Sequence, residues 1–155
     1  MNTPRPSWDH TWMGVAMLIG RRSRCSRAQI GAVIVSLNGR IASTGYNGPA
    51  ASWPENTDCI DWCKRARGET PLDKSYDGCP AIHAEMNALM YVDRSRVEGG
   101  TLYVNSSMCM NCAKAVSNSG LNRVVLLKTK NDAHRDPEDV IEYLRKCSVE
   151  VVQTV

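Results

Sequence analysis

Leu37-Asn38-Gly39 lies between two short apolar runs, Ala32-Val33-Ile34-Val35 and Arg40-Ile41-Ala42-Ser43-Thr44. Asn-Gly in that setting is the strongest short-range signal for a β-hairpin. After it, runs rich in β-branched residues alternate with stretches of helical period. Thr101–Val104 and Arg123–Leu127 read as strands, and Val149–Val152 as a last one. A helix is predicted over 11–22, carrying Trp12, Met13, Ala16, Met17 and Ile19 before a cluster of arginines. A second runs from Pro80 through Met90, with proline near the first helical position, where its missing N–H does no harm. A third spans about Cys109 to Asn118 and is stopped by Gly120. Asp136-Pro137-Glu138-Asp139 opens a fourth, supplying a cap, a first-turn proline and acids at the positive end. A hairpin followed by alternating helices and strands confines the chain to an α/β fold, with a mixed sheet and helices on both faces.

The 155 residues make one domain over 1–155 the expectation, and 43% hydrophobic residues can bury a core. Within it Pro49 to Asp77 is polar, holds Trp53 and Trp62 and lacks period, so an insertion at about 49–79 is predicted. The longest near-apolar run, Met13–Gly20, falls far short of the roughly 18 residues of a membrane span. Asp9 and His10 precede it and Arg21, Arg22 and Arg24 follow it, the reverse of a secretory signal, so a cytoplasmic protein is expected. A net charge of +3 is too balanced to announce nucleic-acid binding, and any anion site must be local. Seven cysteines are an odd number in a chain too large to need disulfide staples, which favours metal-bound or free thiols.

Cys109-Met110-Asn111-Cys112 follows a predicted strand and opens a helix, so two sulfurs share one helical face beside a positive terminus that favours thiolate. Alone, this pair fits a redox site or an accident as well as a metal site. His83-Ala84-Glu85 on another helix start changes the balance. One imidazole and two thiolates give zinc three protein ligands and leave one position open, the arrangement of a catalytic rather than a structural site. Within a helix interior, i and i+2 point about 200° apart, but at the first turn Glu85 can reach past His83. A core histidine and a solvated first-turn acid are the plain alternatives for each residue taken singly. Together with the cysteines they match the H-x-E and P-C-x-x-C signature of zinc deaminases, with Met108 in place of the proline.

Further motifs run from about Val15 to Val152: Cys25-Ser-Arg27 before Ile30-Gly-Ala-Val-Ile-Val35, Asn38-Gly-Arg-Ile41, Thr44-Gly-Tyr-Asn-Gly-Pro49, Ile82-His-Ala-Glu-Met-Asn-Ala-Leu89, Thr101-Leu-Tyr-Val104, Cys112-Ala-Lys114 and Ser119-Gly120. In these the chain resembles the deoxycytidylate (dCMP) deaminases, phage-encoded members included. The resemblance implies a cytidine deaminase-like three-layer α/β/α fold with a five-stranded mixed sheet. It implies zinc-dependent hydrolytic deamination of dCMP to dUMP and ammonia, with His83, Cys109 and Cys112 as zinc ligands and Glu85 as the proton carrier. By the same resemblance the Ala84 N–H contacts the base carbonyl, the Ser107 carbonyl receives the amine, and Asn47 holds the sugar. It further implies dCTP or dTTP as effectors at the loop Gly45, Tyr46, Asn47 and Gly48, and a homo-oligomer, with a hexamer favoured.

A nucleotide substrate needs an anion pocket, for which Arg24 and Arg27 are the candidates because guanidinium groups bind phosphate bidentately. Their alternative is a solvated helix end shared with Arg21 and Arg22. Asn105-Ser106-Ser107-Met108 replaces a family segment closer to Thr-Leu-x-Pro, and Lys128–Asp132 lacks the tyrosine that relatives carry after the fourth strand. An altered pocket wall follows, so 5-methyl- or 5-hydroxymethyl-dCMP is an alternative substrate.

Cys59, Cys63 and Cys79 have no catalytic role, and with Cys25 they could close a structural zinc site of four thiolates. Some phage-type relatives carry a second zinc near these positions. Cys147 reads as an ordinary buried thiol. Two other function classes stay open: a tRNA or single-stranded DNA deaminase, which Trp53 and Trp62 favour and the absent basic excess opposes, and a catalytically silent zinc-binding module, which Glu85 opposes.

Overall fold

The structure is a computed structural model that describes residues 4–54, 58–70, 76, 78–128 and 137–155. Its elements run α1 (Trp8–Gly20), β1 (Gly31–Val35), β2 (Ile41–Tyr46), α2 (Cys59–Trp62), α3 (Ala84–Met90), α4 (Arg94–Val97), β3 (Thr101–Val104), α5 (Met110–Ser117), β4 (Arg123–Leu127), α6 (Pro137–Lys146) and β5 (Glu150–Thr154). Five strands form one sheet in the order β2-β1-β3-β4-β5. β1 pairs antiparallel with both β2 and β3, whereas β3, β4 and β5 are mutually parallel. This is the predicted mixed sheet.

Alternation along the strands divides the core in two. Val33, Val35, Tyr103 and Val125 face Met13 and Ala16 of α1. Ala32, Ile34, Leu102, Val104, Val124 and Leu126 face the other way, against Ala84 and Ala88 of α3, Cys112, Ala113 and Val116 of α5, and Val140, Ile141 and Leu144 of α6. The close seat of α1 depends on Gly31, where an added Cβ would stand 1.9 Å from the Ala16 carbonyl oxygen. In the hairpin turn only Gly39 takes a positive φ, +70°, and its N–H donates to the Ser36 carbonyl at 2.9 Å.

Several boundaries differ from those predicted. α1 begins at Trp8 because the Ser7 side chain accepts the His10 N–H as an N-cap, and it ends at Gly20, short of Arg22. Arg24 and Arg27 therefore lie beyond its last turn. α3 starts at Ala84 rather than at Pro80. Ile82 instead exchanges backbone hydrogen bonds with Gly48, at 2.8 and 3.1 Å, which holds the chain before His83 extended. β5 lies at Glu150–Thr154, and the single-turn helices α2 and α4 are too short for periodicity to show. Cys147, one residue past the end of α6, is exposed rather than buried. The predicted cap Asp136, and residues 129–132 of the segment without tyrosine, lie outside the described residues.

Candidate active site

The site forms where β3 ends and β1 begins, since Ala32 pairs with Val104. In open α/β sheets this carboxyl edge is where ligands gather. Two helix starts meet there. His83 is the N-cap of α3 and Cys109 the N-cap of α5, both with extended backbone, and neither spends its side chain on capping. Freed from the helix, His83 no longer faces away from Glu85, which sits in the first turn of α3. The His83 Nδ1 lies 3.4 Å from the Cys109 Sγ and 3.4 Å from the Cys112 Sγ. Tetrahedral zinc with bonds of about 2.0 Å to nitrogen and 2.3 Å to sulfur places such ligand atoms about 3.5 Å apart, so the donor set fits that ion. Among the described residues, this is the one group of three or more such ligands whose atoms all lie within 4.8 Å of one another.

Electrostatics agree with that fit. A hydrogen bond from Cys112 draws the Cys109 thiol down to about 4, with His83 assisting and burial opposing. Cys112 is pushed up by its bond to Cys109, by burial and by the Glu85 carboxyl, which hydrogen-bonds it. One thiolate forms readily, and a second next to it needs a cation. Glu85 itself is 3% exposed.

The other predicted residues are distributed around this centre. Ala84 is fully buried, and as the first residue of α3 its N–H has no acceptor inside the helix. Ser107 is buried beside Met108, which is part of the core. In place of proline's rigidity, Asn105 fixes this loop. Its Oδ1 accepts the Gly31 N–H at 2.9 Å and its Nδ2 donates to the Gln29 carbonyl at 3.1 Å. Asn47 is buried; its Oδ1 accepts the Ile30 N–H at 2.8 Å and its Nδ2 donates to the Ala28 carbonyl at 2.9 Å. The loop Gly45–Gly48 is tied to α3, where Asn87 Nδ2 donates to the Tyr46 carbonyl at 2.7 Å. Arg24 and Arg27 are exposed, and Arg27 Nη1 donates to the Arg65 carbonyl at 3.5 Å.

Cys25, Cys59, Cys63 and Cys79 come from three separate segments and lie close enough to act on one another electrostatically, but no three of their sulfurs fall within 4.8 Å of one another. Cys59 opens α2 and Cys63 is its C-cap, one turn apart, each 1% exposed. Cys79 hydrogen-bonds Cys63 and is pushed up to about 11 by burial, with the Cys63 and Cys25 thiols adding to the shift. Burial likewise raises Cys59, with Cys25 and Cys63 contributing. No disulfide joins them.

Sequence reasoning missed two residues of the segment 49–79. Tyr76 lies with its ring centroid 4.6 Å from that of His83, at 80°. Arg65, only 6% exposed, places its guanidinium carbon 4.6 Å above the Tyr76 ring. Within Lys64-Arg65-Ala66-Arg67 it reads as one more solvated base, so no signal marks it. Trp53 and Trp62 pack against each other at 5.6 Å rather than forming an open platform.

Comparison with known proteins agrees with this centre. The model of the cytidine and deoxycytidylate deaminase zinc-binding region matches residues 6–128. The deoxycytidylate deaminase of Mycobacterium phage D29 is 39% identical over 128 residues, covering 80% of this chain and 97% of that protein. That of Enterobacteria phage T2 is 32% identical over 171 residues, covering 91% and 89%. The dCMP deaminase of cyanophage S-TIM5, solved with dCMP and dUMP, superposes with a TM-score of 0.73 at 26% identity over 98% of this chain and all of that one. With its five-stranded mixed sheet, its paired helix starts and this His-Cys-Cys-Glu centre, the chain belongs to the cytidine and deoxycytidylate deaminase family.

Proposed function

We propose that this protein deaminates dCMP hydrolytically to dUMP and ammonia, with one zinc held by His83, Cys109 and Cys112. The observation that carries the reading is His83 Nδ1 at 3.4 Å from both sulfurs, with the buried Glu85 carboxyl bonded to Cys112. Bound there, zinc supplies an activated water near neutral pH and a Lewis acid for charge developing at C4. Glu85 takes the water's proton and passes protons to ring N3 and to the leaving amine, acting as acid and base in one site. The Ala84 N–H orients the base carbonyl, the Ser107 carbonyl receives the amine, and Asn47 keeps an amide N–H for the sugar. Arg24 and Arg27 bind the phosphate at the open side.

Four finer statements belong to the same reading. Cys25, Cys59, Cys63 and Cys79 hold a second, structural zinc around which they would close, supported by their mutual electrostatic influence and by the burial of Cys59 and Cys63 in a segment with little apolar core. The loop Gly45–Gly48 takes dCTP or dTTP, supported by its bonds to Ile82 and Asn87 on either side of the site. The chain assembles as a hexamer, supported by Trp8, Met17 and Leu18 standing exposed on α1. It works in the cytoplasm, of the host if the chain is phage-encoded, supported by its likeness to phage and cellular deoxycytidylate deaminases.

Ammonia release measured with dCMP, 5-methyl-dCMP, 5-hydroxymethyl-dCMP, deoxycytidine and a cytosine-containing oligonucleotide tests the reading. Highest turnover on dCMP is expected. A preferred C5 substituent would revise the substrate, preference for the oligonucleotide would revise the class, and release from none of them would leave a silent zinc module.

A further inference from the structure

The insertion reaches the metal centre through a three-residue stack. Arg65 is 6% exposed, and its guanidinium carbon lies 4.6 Å above the Tyr76 ring, within the range of a cation–π contact. The same ring meets the His83 imidazole at 4.6 Å and 80°, the edge-on geometry that aromatic pairs prefer. Tyr76 holds this place with φ +58°, in the left-handed region that few bulky residues adopt. A side chain kept there by packing on both sides is over-determined. An N-cap residue also lacks the neighbouring turns that restrict a helical side chain, so His83 needs its ring fixed from outside α3. We propose that Tyr76 and Arg65 are positioning residues for His83, locking the imidazole with Nδ1 toward Cys109 and Cys112 so that the insertion sets the affinity of the metal centre.

This rests on His83 being a zinc ligand, and the test separates the two ideas. Zinc release from the full-length purified protein is followed with a chromophoric chelator, and His83→Ala defines the share of release that belongs to this site. Residues that orient metal ligands typically change affinity about 10- to 100-fold when replaced. Tyr76→Leu should therefore release that share about tenfold or more faster, Arg65→Met should fall between it and the parent, and Tyr76→Phe, which keeps the ring, should stay within about twofold. Cobalt loaded into the same proteins should shift its visible absorption in Tyr76→Leu and not in Tyr76→Phe, a signature that general loss of stability does not move. Parent-like release and absorption in both Tyr76→Leu and Arg65→Met overturn the positioning role. If Tyr76→Leu does not fold, Arg65→Met decides alone, faster release supporting the role and parent-like release overturning it. Parent-like release from His83→Ala overturns the ligand assignment itself, and the positioning role with it.

Discussion

A Cβ built on Gly45 would stand 2.3 Å from the Ala84 carbonyl oxygen, so β2 and the first turn of α3 meet backbone to backbone. Only glycine allows that approach, and the turn it admits carries Glu85.

Gly45→Ala should therefore push α3 away from the sheet. Overpacking of this kind costs about 1–3 kcal/mol. Turnover should fall with it, since Glu85 moves with the helix. Gly14, inside α1 with nothing within 4 Å of its Cβ position, is the control. Gly14→Ala should stabilise by about 0.5–1 kcal/mol with turnover unchanged. Urea unfolding and initial rates on both proteins check this, and equal behaviour of the two would refute it.

Asp9 in the first turn of α1 joins that helix to the sheet. Both its oxygens accept from Arg123, at 2.8 Å each, across 114 residues of sequence, and the Tyr103 hydroxyl donates to Oδ1 at 2.8 Å. The Arg123 bond holds the Asp9 carboxyl below its ordinary 3.8. A depressed carboxylate stabilises the fold above its unfolded value, and that contribution is lost as pH falls through the folded one. Asp9→Asn should cost about 1–2 kcal/mol at pH 7, and the difference from the parent should shrink below about pH 4. Denaturant midpoints across that range measure it. A constant difference would mean that the charge is irrelevant.

Glu85→Gln keeps size and most hydrogen bonding while removing the proton acceptor. Turnover should drop about a hundred- to ten-thousandfold with zinc retained and substrate binding much less affected. Were Glu85 only an acid at a helix start, the variant would instead lose about 0.3–1 kcal/mol of stability and keep its rate. Turnover and melting temperature on one metal-loaded sample tell these apart.

Metal content tests the four thiols. Elemental analysis or native mass spectrometry should find two zincs per chain, falling to one when Cys59 and Cys63 are replaced by serine. One zinc in the parent, lost with His83→Ala, would leave the cluster as buried thiols.

Phosphate recognition is read from dCMP against deoxycytidine. Charge-assisted hydrogen bonds of about 1.5–3 kcal/mol predict a preference of about ten- to a hundredfold or more in kcat/KM. Arg24→Ala and Arg27→Ala should reduce it. Equal use of both substrates would dismiss an anion pocket, and an intact preference in both variants would move it to other residues.

The sheet, its hairpin and the grouping of His83, Cys109 and Cys112 were legible in the sequence. Strand and helix periods, the Asn38-Gly39 turn and the spacing of metal donors are local properties, written within a few neighbouring residues. Helix starts were less so. Pro80 has the chemistry of a first helical residue, yet the bridge between Gly48 and Ile82 holds that stretch extended, because backbone bonds to a distant loop outweigh a local preference. The same holds for Tyr76 and Arg65, which sit in an aperiodic, polar stretch where sequence offers no pattern. Their meeting with His83 is a contact between segments far apart in the chain, and only tertiary packing brings such side chains to one point.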